Sequence, residues 1–292
     1  MAVETRLPAI DAPVHHTEGR TPYLQEPGVV LLALPATDTR GMAAFLGGFA
    51  PALEFPAYLA DPTPLPPAEQ LCKTAGQVCY ASFGPKRTWN EQAEKYLLNI
   101  KSSGHGSVLE HANFSLLLYG VSRSLTHELV RHRAGTAVSQ LSQRYVSGRV
   151  LRFVERPEYR ADPELHRLFC DRIDNAAAGY ARLTEMLLER QKAGGQILSA
   201  DARTDLRKKV QQCSRSLLPN ETEAPLVMTA NARAWRHIIE MRASPHAELE
   251  IREMAMRAYR VLRQAAPILF GDYEERELPD GTRVVETEYP KV

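Results

Sequence analysis

The sequence predicts a globular protein of mixed helices and strands, organised as one large domain or two small ones. Its 292 residues are 44% hydrophobic and 24% charged, which is typical of a soluble protein and too apolar for a disordered chain. Segments with helical spacing alternate with short apolar runs. The net charge of +1 provides no overall field for nucleic acid or an acidic membrane, and no apolar run approaches the roughly 20 residues of a membrane span.

Helical periodicity is clearest in two segments. Thr88 and Glu91 have the form of a capping box, and apolar residues follow at helical spacing until Gly104 can close the helix. Pro163 occupies a first-turn position and opens a long amphipathic helix ending at Gly194. The predicted buried stripe of this helix consists of Leu165, Phe169, Ile173, Tyr180, Leu183 and Leu187.

Shorter elements lie between and after these helices. Asn113–Tyr119 is an apolar run suited to a strand, and Ser122 or Ser124 can cap a helix carrying Leu125, Leu129 and Arg131. We expect an extended segment at 143–154, a helix from Ser199 that stops before Pro219, a strand at 226–229, helices at about 231–242 and 246–266, and a C-terminal hairpin or tail around Asp280 and Gly281.

The first 70 residues differ in composition from the rest. Eleven of the twenty prolines lie before residue 70, and Asp61–Pro67 is typical of an extended linker. We therefore expect residues 1–70 to form a proline-rich arm or small appendage with one strand at Val29–Leu34. Residues 71–292 would form the main domain, with a C-terminal tail from about 271.

The cysteines argue against a zinc site and a disulfide framework. They are far apart, and no C-x-x-C pair occurs. We expect reduced thiols at Cys72, Cys79, Cys170 and Cys213, with Cys213 buried as a small apolar residue. Because no basic segment leads into an apolar stretch at the N-terminus, the cytoplasm is the expected location.

The densest group of functional side chains lies between Glu128 and Tyr145. Arg131, His132 and Arg133 are consecutive, and since helical neighbours are about 100° apart, at least one of them must turn inward. Glu128 can pair with Arg131, so a surface ion pair is the alternative interpretation. The hydroxyls, amides and guanidinium that follow are donors suited to a phosphate or a planar heterocycle.

A second group extends from Asn231 to Glu248. Asn231, Arg233 and His237 would share related faces of one helix, and Arg242 lies near its end, where the helix dipole favours a cation. The alternative is solvated charge around Trp235. The sequence His246-Ala-Glu248 has the H-x-E form of zinc deaminases, but no P-C-x-x-C follows, and no H-E-x-x-H occurs. We therefore predict no metal site.

These groups together resemble the flavin-dependent thymidylate synthase family. Arg131-His132-Arg133 followed by Ser142-Gln143-Arg144-Tyr145 resembles the family signature. Supporting blocks occur in the expected order over roughly residues 75–270, namely Ala81-Ser82-Phe83, Gly104 to His111, and Asn231 to His246. The signature usually has seven residues before the serine, whereas Ala134–Leu141 makes eight here. Gly135 can absorb the extra residue in a left-handed turn.

The resemblance implies a fold and an activity. The implied fold is α+β, with helices packed around a curved, mainly antiparallel sheet, in a homotetramer whose active sites take residues from several subunits. The implied reaction joins dUMP, methylenetetrahydrofolate and NADPH through FAD and gives dTMP. Since reduced flavin delivers the hydride, no protein thiolate is required.

The resemblance also assigns individual residues. Positions implied to bind FAD are Ser82, His105, Ser107, Glu110, Arg131, His132, Arg133, Asn231, Arg233, His237 and His246. Positions implied to bind dUMP are Arg123, Glu128, Gln140, Leu141, Ser142, Gln143, Arg144, Arg215 and Arg242. Arg144 and Arg215 suit the phosphate, Arg242 would stabilise negative charge on the uracil oxygen, and Ser142 would orient the pyrimidine.

Two other classes of function compete with this hypothesis. A nonenzymatic RNA or nucleotide binder would use the same arginines with aromatic stacking, but aromatic residues are only 7% of the chain and do not alternate with Arg131–Arg144. A serine or metal hydrolase would need a G-x-S-x-G elbow or metal-ligand spacing, and the sequence contains neither.

Overall fold

The computed structural model describes residues 6–146, 151–194, 198, 203–290 and 292. The strands in this part of the chain are β1 (Ala9–Ile10), β2 (Val14–His16), β3 (Pro22–Leu24), β4 (Gly28–Ala33), β5 (Asn113–Tyr119), β6 (Thr136–Gln140), β7 (Phe153–Val154), β8 (Leu226–Asn231), β9 (Glu274–Glu277) and β10 (Arg283–Glu286). The α-helices are α1 (Ala43–Gly47), α2 (Pro67–Cys79), α3 (Ala93–Ser102), α4 (Arg123–Leu129), α5 (Pro157–Arg160), α6 (Pro163–Lys192), α7 (Arg203–Ser214), α8 (Ala232–Arg242), α9 (Leu249–Ala265) and α10 (Pro267–Phe270).

A five-stranded sheet in the order β1-β4-β5-β8-β6 organises the fold, and every neighbouring pair in it is antiparallel. Alternate residues of β5 and β8 are buried, as expected for strands with one face on the core. The prediction of a mixed fold with a mainly antiparallel sheet is therefore confirmed. Two smaller sheets, β2-β3-β7 and β9-β10, accompany the main one.

The main core lies between this sheet and helices α8 and α9. Trp235 and Tyr259 are fully buried there, and the indole Nε1 of Trp235 donates to the carbonyl oxygen of Phe114 on β5 at 3.1 Å. Arg242 is the last residue of the packed helix α8. The core thus fixes the helix from which the second predicted group of functional residues projects.

The segment before residue 70 takes part in three regions of the structure and contains four strands, β1 to β4, where one was predicted. Strands β2 and β3 belong to the three-stranded sheet. Strand β4 covers nearly all of the predicted strand at 29–34 and pairs with β5 in the main sheet. A separate aromatic cluster contains Leu46, Phe55, Tyr58 and Phe83. The division of the chain at residue 70 stays a prediction.

Several element predictions are confirmed. Ser122 caps α4 by accepting from the backbone N–H of Leu125, and Asp162 caps α6 immediately before Pro163. Gly104, Gly194 and Gly281 adopt positive φ, as chain reversals after helices or within a hairpin require. The C-terminal hairpin forms from β9 and β10. None of the described helices is long and apolar enough to cross a membrane.

Some local predictions are wrong. No side-chain cap from Thr88 forms, because the helix opens with a 3-10 turn at Asn90, whose N–H donates to Asp61 Oδ2 at 2.8 Å. Leu165 is 38% exposed, because it lies in the first turn of α6, ahead of the part that packs on the second core cluster. Cys213 is exposed, since Val210 and Ser214 occupy the buried face of α7.

Two boundaries also differ from the prediction. A strand, β6, forms at Thr136–Gln140, whereas the predicted extended segment at 143–154 begins with a turn at Gln143 and contains β7 near its end. Residues 147–150 of that segment lie outside the described residues. Pairing with β8 supplies the hydrogen bonds that make 136–140 a strand. The final helix begins at Leu249 instead of 246 because residues 244–247 form a turn. The predicted helix start at Ser199 lies outside the described residues.

Candidate functional site

The Arg131–Arg133 segment lies in the turn that follows α4. The helix ends at Leu129, so Arg131 is outside it, contrary to the prediction. His132 is the residue that turns inward, while Arg131 and Arg133 are exposed. The hydroxyl of Thr136 donates to the carbonyl oxygen of His132 at 2.8 Å and holds the turn against the start of β6.

Arg242 reaches this turn from the end of α8. Its Nη1 lies 2.6 Å from Glu128 Oε2, its Nη2 donates to the carbonyl oxygen of Glu128, and its Nε donates to Nε2 of His132 at 3.0 Å. The alternative pairing of Glu128 with Arg131 is therefore wrong. The tertiary fold instead gives Glu128 a partner that is 114 positions away.

His132 is held in its neutral form. Burial, together with the nearby charges of Arg242 and His237, lowers the pKa of His132 to about 4. The His132 and His237 rings pack edge to face with centroids 5.6 Å apart. Because Nε2 of His132 accepts a hydrogen bond from a guanidinium, the proton of its neutral ring belongs on Nδ1.

Gly135, the residue that can absorb the extra position of the signature, adopts a left-handed conformation. This glycine has φ +68°, and a Cβ at this position would lie 2.5 Å from Nδ2 of Asn231. Asn231 caps α8 by accepting from the N–H of Ala234 at 2.8 Å, and its own N–H donates to the carbonyl oxygen of Gly135. Asn231 therefore precedes the helix instead of sharing a face with Arg233. The positive φ expected for Gly135 is confirmed.

Two cavities bring together most of the residues in the implied cofactor set. The first, the α8 cavity, has a volume of about 550 Å³. It is lined by Glu110, Ala134, Gly135, Asn231, Arg233, Ala234, Arg236, His237, Glu240, Met241, Pro290 and Val292. The second, the Gly104 cavity, measures about 320 Å³ and includes His105 and Ser107 in its wall. Arg233 lines both cavities and pairs with Glu110 at 2.6 Å.

Two of the implied substrate residues after β6, Leu141 and Gln143, line a different cavity of about 370 Å³, whereas Ser142 and Arg144 do not line it. Gln143 is buried, and its Nε2 has no partner in the part of the chain that the structure describes. Ser142 Oγ accepts from the N–H of Arg144. Gln140 donates to Thr126 on α4, which ties the end of β6 to the helix that carries Glu128.

The structure does not gather every predicted residue. Five of the residues implied to bind FAD are absent from the walls of these three cavities, namely Ser82, Arg131, His132, Arg133 and His246. Ser82 donates to the carbonyl oxygen of Gln77 at the end of α2, and His246 is exposed in the turn before α9. Arg144 is exposed, and Arg215 is in a 3-10 turn after α7.

Sequence reasoning missed the contribution of the chain's last described residues. Pro290 and Val292 line the α8 cavity, and the main-chain oxygen of Val292 accepts from Nε of Arg233 at 2.7 Å. No sequence motif marks these residues, because the contact joins positions 59 apart and uses a backbone atom. Cys79 and Tyr80 also line the Gly104 cavity, and the sequence motifs assign neither of them to the site.

The chain matches the family model described as "Thymidylate synthase complementing protein" over residues 59–268. The chain belongs to this family. The matched region includes the turn after α4, helix α8 and the Gly104 turn, which carry the geometry described above.

Relatives of the chain match it over most of its length. The chain is 45% identical over 217 residues to a flavin-dependent thymidylate synthase from Mycobacterium sp. (strain KMS), covering 74% of this chain and 84% of the relative. It is 40% identical over 235 residues to the flavin-dependent thymidylate synthase of Corynebacterium glutamicum, covering 80% and 91%. Among solved structures, the UMP/dUMP methylase PolB from Streptomyces cacaoi, bound with 5-Br dUMP, has a TM-score of 0.55 at 17% identity, covering 85% of this chain and 94% of that one. This last similarity concerns the fold alone.

Proposed function

We propose that this protein is a flavin-dependent thymidylate synthase that converts dUMP to dTMP. Methylenetetrahydrofolate would donate the one-carbon unit, and NADPH would reduce the chain's FAD. The observation that carries the proposal is the contact of Glu128, His132 and Arg242 within a chain that belongs to this family. A homotetrameric assembly belongs to the same proposal and rests on the resemblance, and the cytoplasmic location stays a prediction from the sequence.

The walls of the α8 and Gly104 cavities suit a flavin dinucleotide. They offer the Arg233 guanidinium, the Asn231 amide and the His237 imidazole on one side, and the His105–Ser107 turn on the other. Guanidinium and backbone N–H groups are strong partners for phosphate oxygens, and cavities of about 300–1,000 Å³ are usual for cofactors. When bound and reduced, FAD supplies the hydride equivalent, so the protein's tasks are binding, orientation and electrostatics.

Arg242 would carry the main electrostatic role toward dUMP. Glu128 and His132 fix its guanidinium before substrate arrives, and a preorganised cation stabilises charge that develops on a uracil oxygen without further reorganisation. Since His132 accepts through Nε2, it orients Arg242 without adding a second positive charge. Ser142 would orient the pyrimidine, and Arg144 and Arg215 would bind the phosphate.

The experiment is a spectrum and a product assay on purified protein. We expect flavin absorbance near ~450 nm and dTMP formation that requires dUMP, methylenetetrahydrofolate and NADPH together. Omission of each substrate in turn is the control. A protein that binds dUMP but shows neither flavin absorbance nor dTMP, even after incubation with FAD, would instead be a nucleotide-binding protein.

A further inference from the structure

The end of the described chain lies across two arginines of α8. Arg236 donates from Nη2 to the carbonyl oxygen of Tyr289 at 3.2 Å, and Arg233 donates from Nε to the main-chain oxygen of Val292 at 2.7 Å. Residues three apart are neighbours on one face of a helix. Tyr289 and Val292 therefore both lie against α8, each held by its backbone oxygen.

These two attachment points differ in strength. Arg236 is buried and forms a two-pronged ion pair with Asp272, which also accepts from Lys101 and from Thr287 Oγ1. The Arg233 side chain is 44% exposed, and it also forms an ion pair with Glu110. The attachment at Tyr289 thus belongs to a buried network, whereas the attachment at Val292 is in reach of solvent.

Val292 separates the two candidate cofactor cavities. Val292 lines the α8 cavity. It also lies against Gly106, which lines the Gly104 cavity. A Cβ on Gly106 would lie 2.3 Å from the carbonyl carbon of Val292 and 2.9 Å from Nε of Arg233. No side chain could fit between Val292, Gly106 and Arg233. Together these three residues form a partition between cavities of about 550 and 320 Å³.

We propose that Pro290 and Val292, here called the tail strap, occupy part of the cofactor site and must leave Arg233 before a dinucleotide can bind across both cavities. The inference rests on the proposed function, because it takes FAD as the ligand. His105 and Ser107 lie on one side of the partition, and Asn231 and His237 lie on the other. A ligand that contacts both groups has to pass through the position of Val292.

The exchange is chemically favourable for an anionic ligand. The contact with Val292 uses only Nε of Arg233, whereas a phosphate can accept from two guanidinium N–H groups at once in the geometry that arginine binds best. The tail strap would therefore yield to a dinucleotide and return when it dissociates. While in place, it lowers the apparent affinity for the cofactor by competition.

The test compares the full chain, a variant lacking residues 290–292, and Glu288→Ala as a matched change at an exposed residue of the same tail. The deletion keeps Tyr289 and its contact with Arg236. Each flavin-free protein is titrated with FAD, followed by quenching of flavin fluorescence. We expect the deletion to bind FAD about tenfold more tightly, equivalent to about 1.4 kcal/mol, and Glu288→Ala to bind like the full chain.

A second measurement does not depend on the variant folding correctly. Hydrogen exchange of the backbone amides in residues 287–292 is followed in the full chain with and without FAD, and we expect faster exchange when FAD is bound.

The outcomes separate the two hypotheses. If the deletion binds FAD as the full chain does, or more weakly, and the tail amides do not exchange faster with FAD, the tail strap is a fixed wall and this inference is wrong, while the proposed function stands. If no protein binds FAD, the proposed function fails and the inference fails with it.

Discussion

Arg242 donates from Nε to Nε2 of His132 at 3.0 Å, which joins the end of α8 to the turn after α4. The contact requires an imidazole nitrogen that carries no proton. A protonated His132 would place two positive groups against each other, and this is part of the reason its pKa is lowered, after burial itself. The electrostatics of the site therefore depend on His132 remaining neutral.

The first prediction concerns stability and pH. The pKa of His132 falls from its ordinary 6.5 to about 4 in the folded chain, so between these values the unfolded chain binds more protons. The free energy of unfolding should decrease as pH falls from 6.5 toward 4 and lose this dependence below 4. Urea unfolding across this range should show a smaller decrease for His132→Gln. His246→Gln, at an exposed histidine, is the control, and equal slopes for His132→Gln and the unmodified chain would contradict the prediction.

The second prediction concerns Glu128 as the residue that positions Arg242. Glu128→Ala removes a charge-assisted contact of 2.6 Å, and such contacts are worth about 1.5–3 kcal/mol, so dUMP affinity should fall at least tenfold. Glu128→Gln should lose less, because its amide oxygen can still accept from Arg242. Calorimetric titration with dUMP measures both variants, and Glu164→Ala on the exposed start of α6 is the control. Equal affinities for the alanine and glutamine variants would argue that Glu128 does not act through Arg242.

The third prediction separates the two ligands. Arg144→Ala should weaken dUMP binding by about 1.5–3 kcal/mol, the usual value of a hydrogen bond to a charged group, while FAD stays bound. Arg167→Ala changes another exposed arginine, on α6, and should alter neither affinity. Loss of FAD with unchanged dUMP binding would show that the assignment of this arginine to the phosphate is wrong.

The fourth prediction concerns the extra residue of the signature. Gly135→Val imposes a side chain on a backbone with φ +68° and brings its Cβ within 2.5 Å of Asn231 Nδ2, so we expect strain of about 1–3 kcal/mol and loss of FAD before loss of helix. Flavin absorbance and far-UV circular dichroism on the same samples measure the two effects. Deletion of Gly135 should behave similarly, because it shortens the turn that contacts Asn231.

The control for this position is Gly281→Val. Gly281 also has a positive φ, +79°, but a Cβ there meets no atom within 4 Å. It should show backbone strain without loss of FAD. If Gly135→Val retains full FAD occupancy and activity, the contact with Asn231 has no part in the cofactor site.

The fifth prediction is that no cysteine is required for turnover. The pKa of the Cys72 thiol is raised to about 12 by burial, so Cys72 stays protonated in the core, and Cys213 is exposed far from the α4 turn in sequence. Replacement of all four cysteines by alanine should leave dTMP formation within the range explained by lost stability. Cys79 requires a single-variant measurement, because it lines the Gly104 cavity. A folded, flavin-loaded variant with a single cysteine replaced and no turnover would contradict the prediction.

Elements with strong local signals were predictable. Asp162 and Pro163 start α6, and the apolar run at 113–119 forms β5 with its predicted bounds, because capping and alternating burial depend on neighbouring residues. Strand β6 was not predictable in this way. Its residues form a strand because β8, about 90 positions later, offers the matching hydrogen bonds.

The site was predictable in composition more than in arrangement. The motif order identified His132, Arg233 and Arg242, and the 100° step between helical residues required that one of Arg131–Arg133 turn inward. The position of the end of α8 decides which of these three residues turns inward. It also decides that Glu128 pairs with Arg242.

The sequence by itself indicated the family, the helical and strand segments with local signals, and a glycine at 135 able to adopt a left-handed turn, since each depends on residue type and short spacing. Only the tertiary structure decided that Arg242 lies against His132, 110 positions away, and that Val292 lies on Arg233, 59 positions away. The physical reason is that such contacts depend on how the sheet and helices pack, and packing is the collective result of all the buried side chains together.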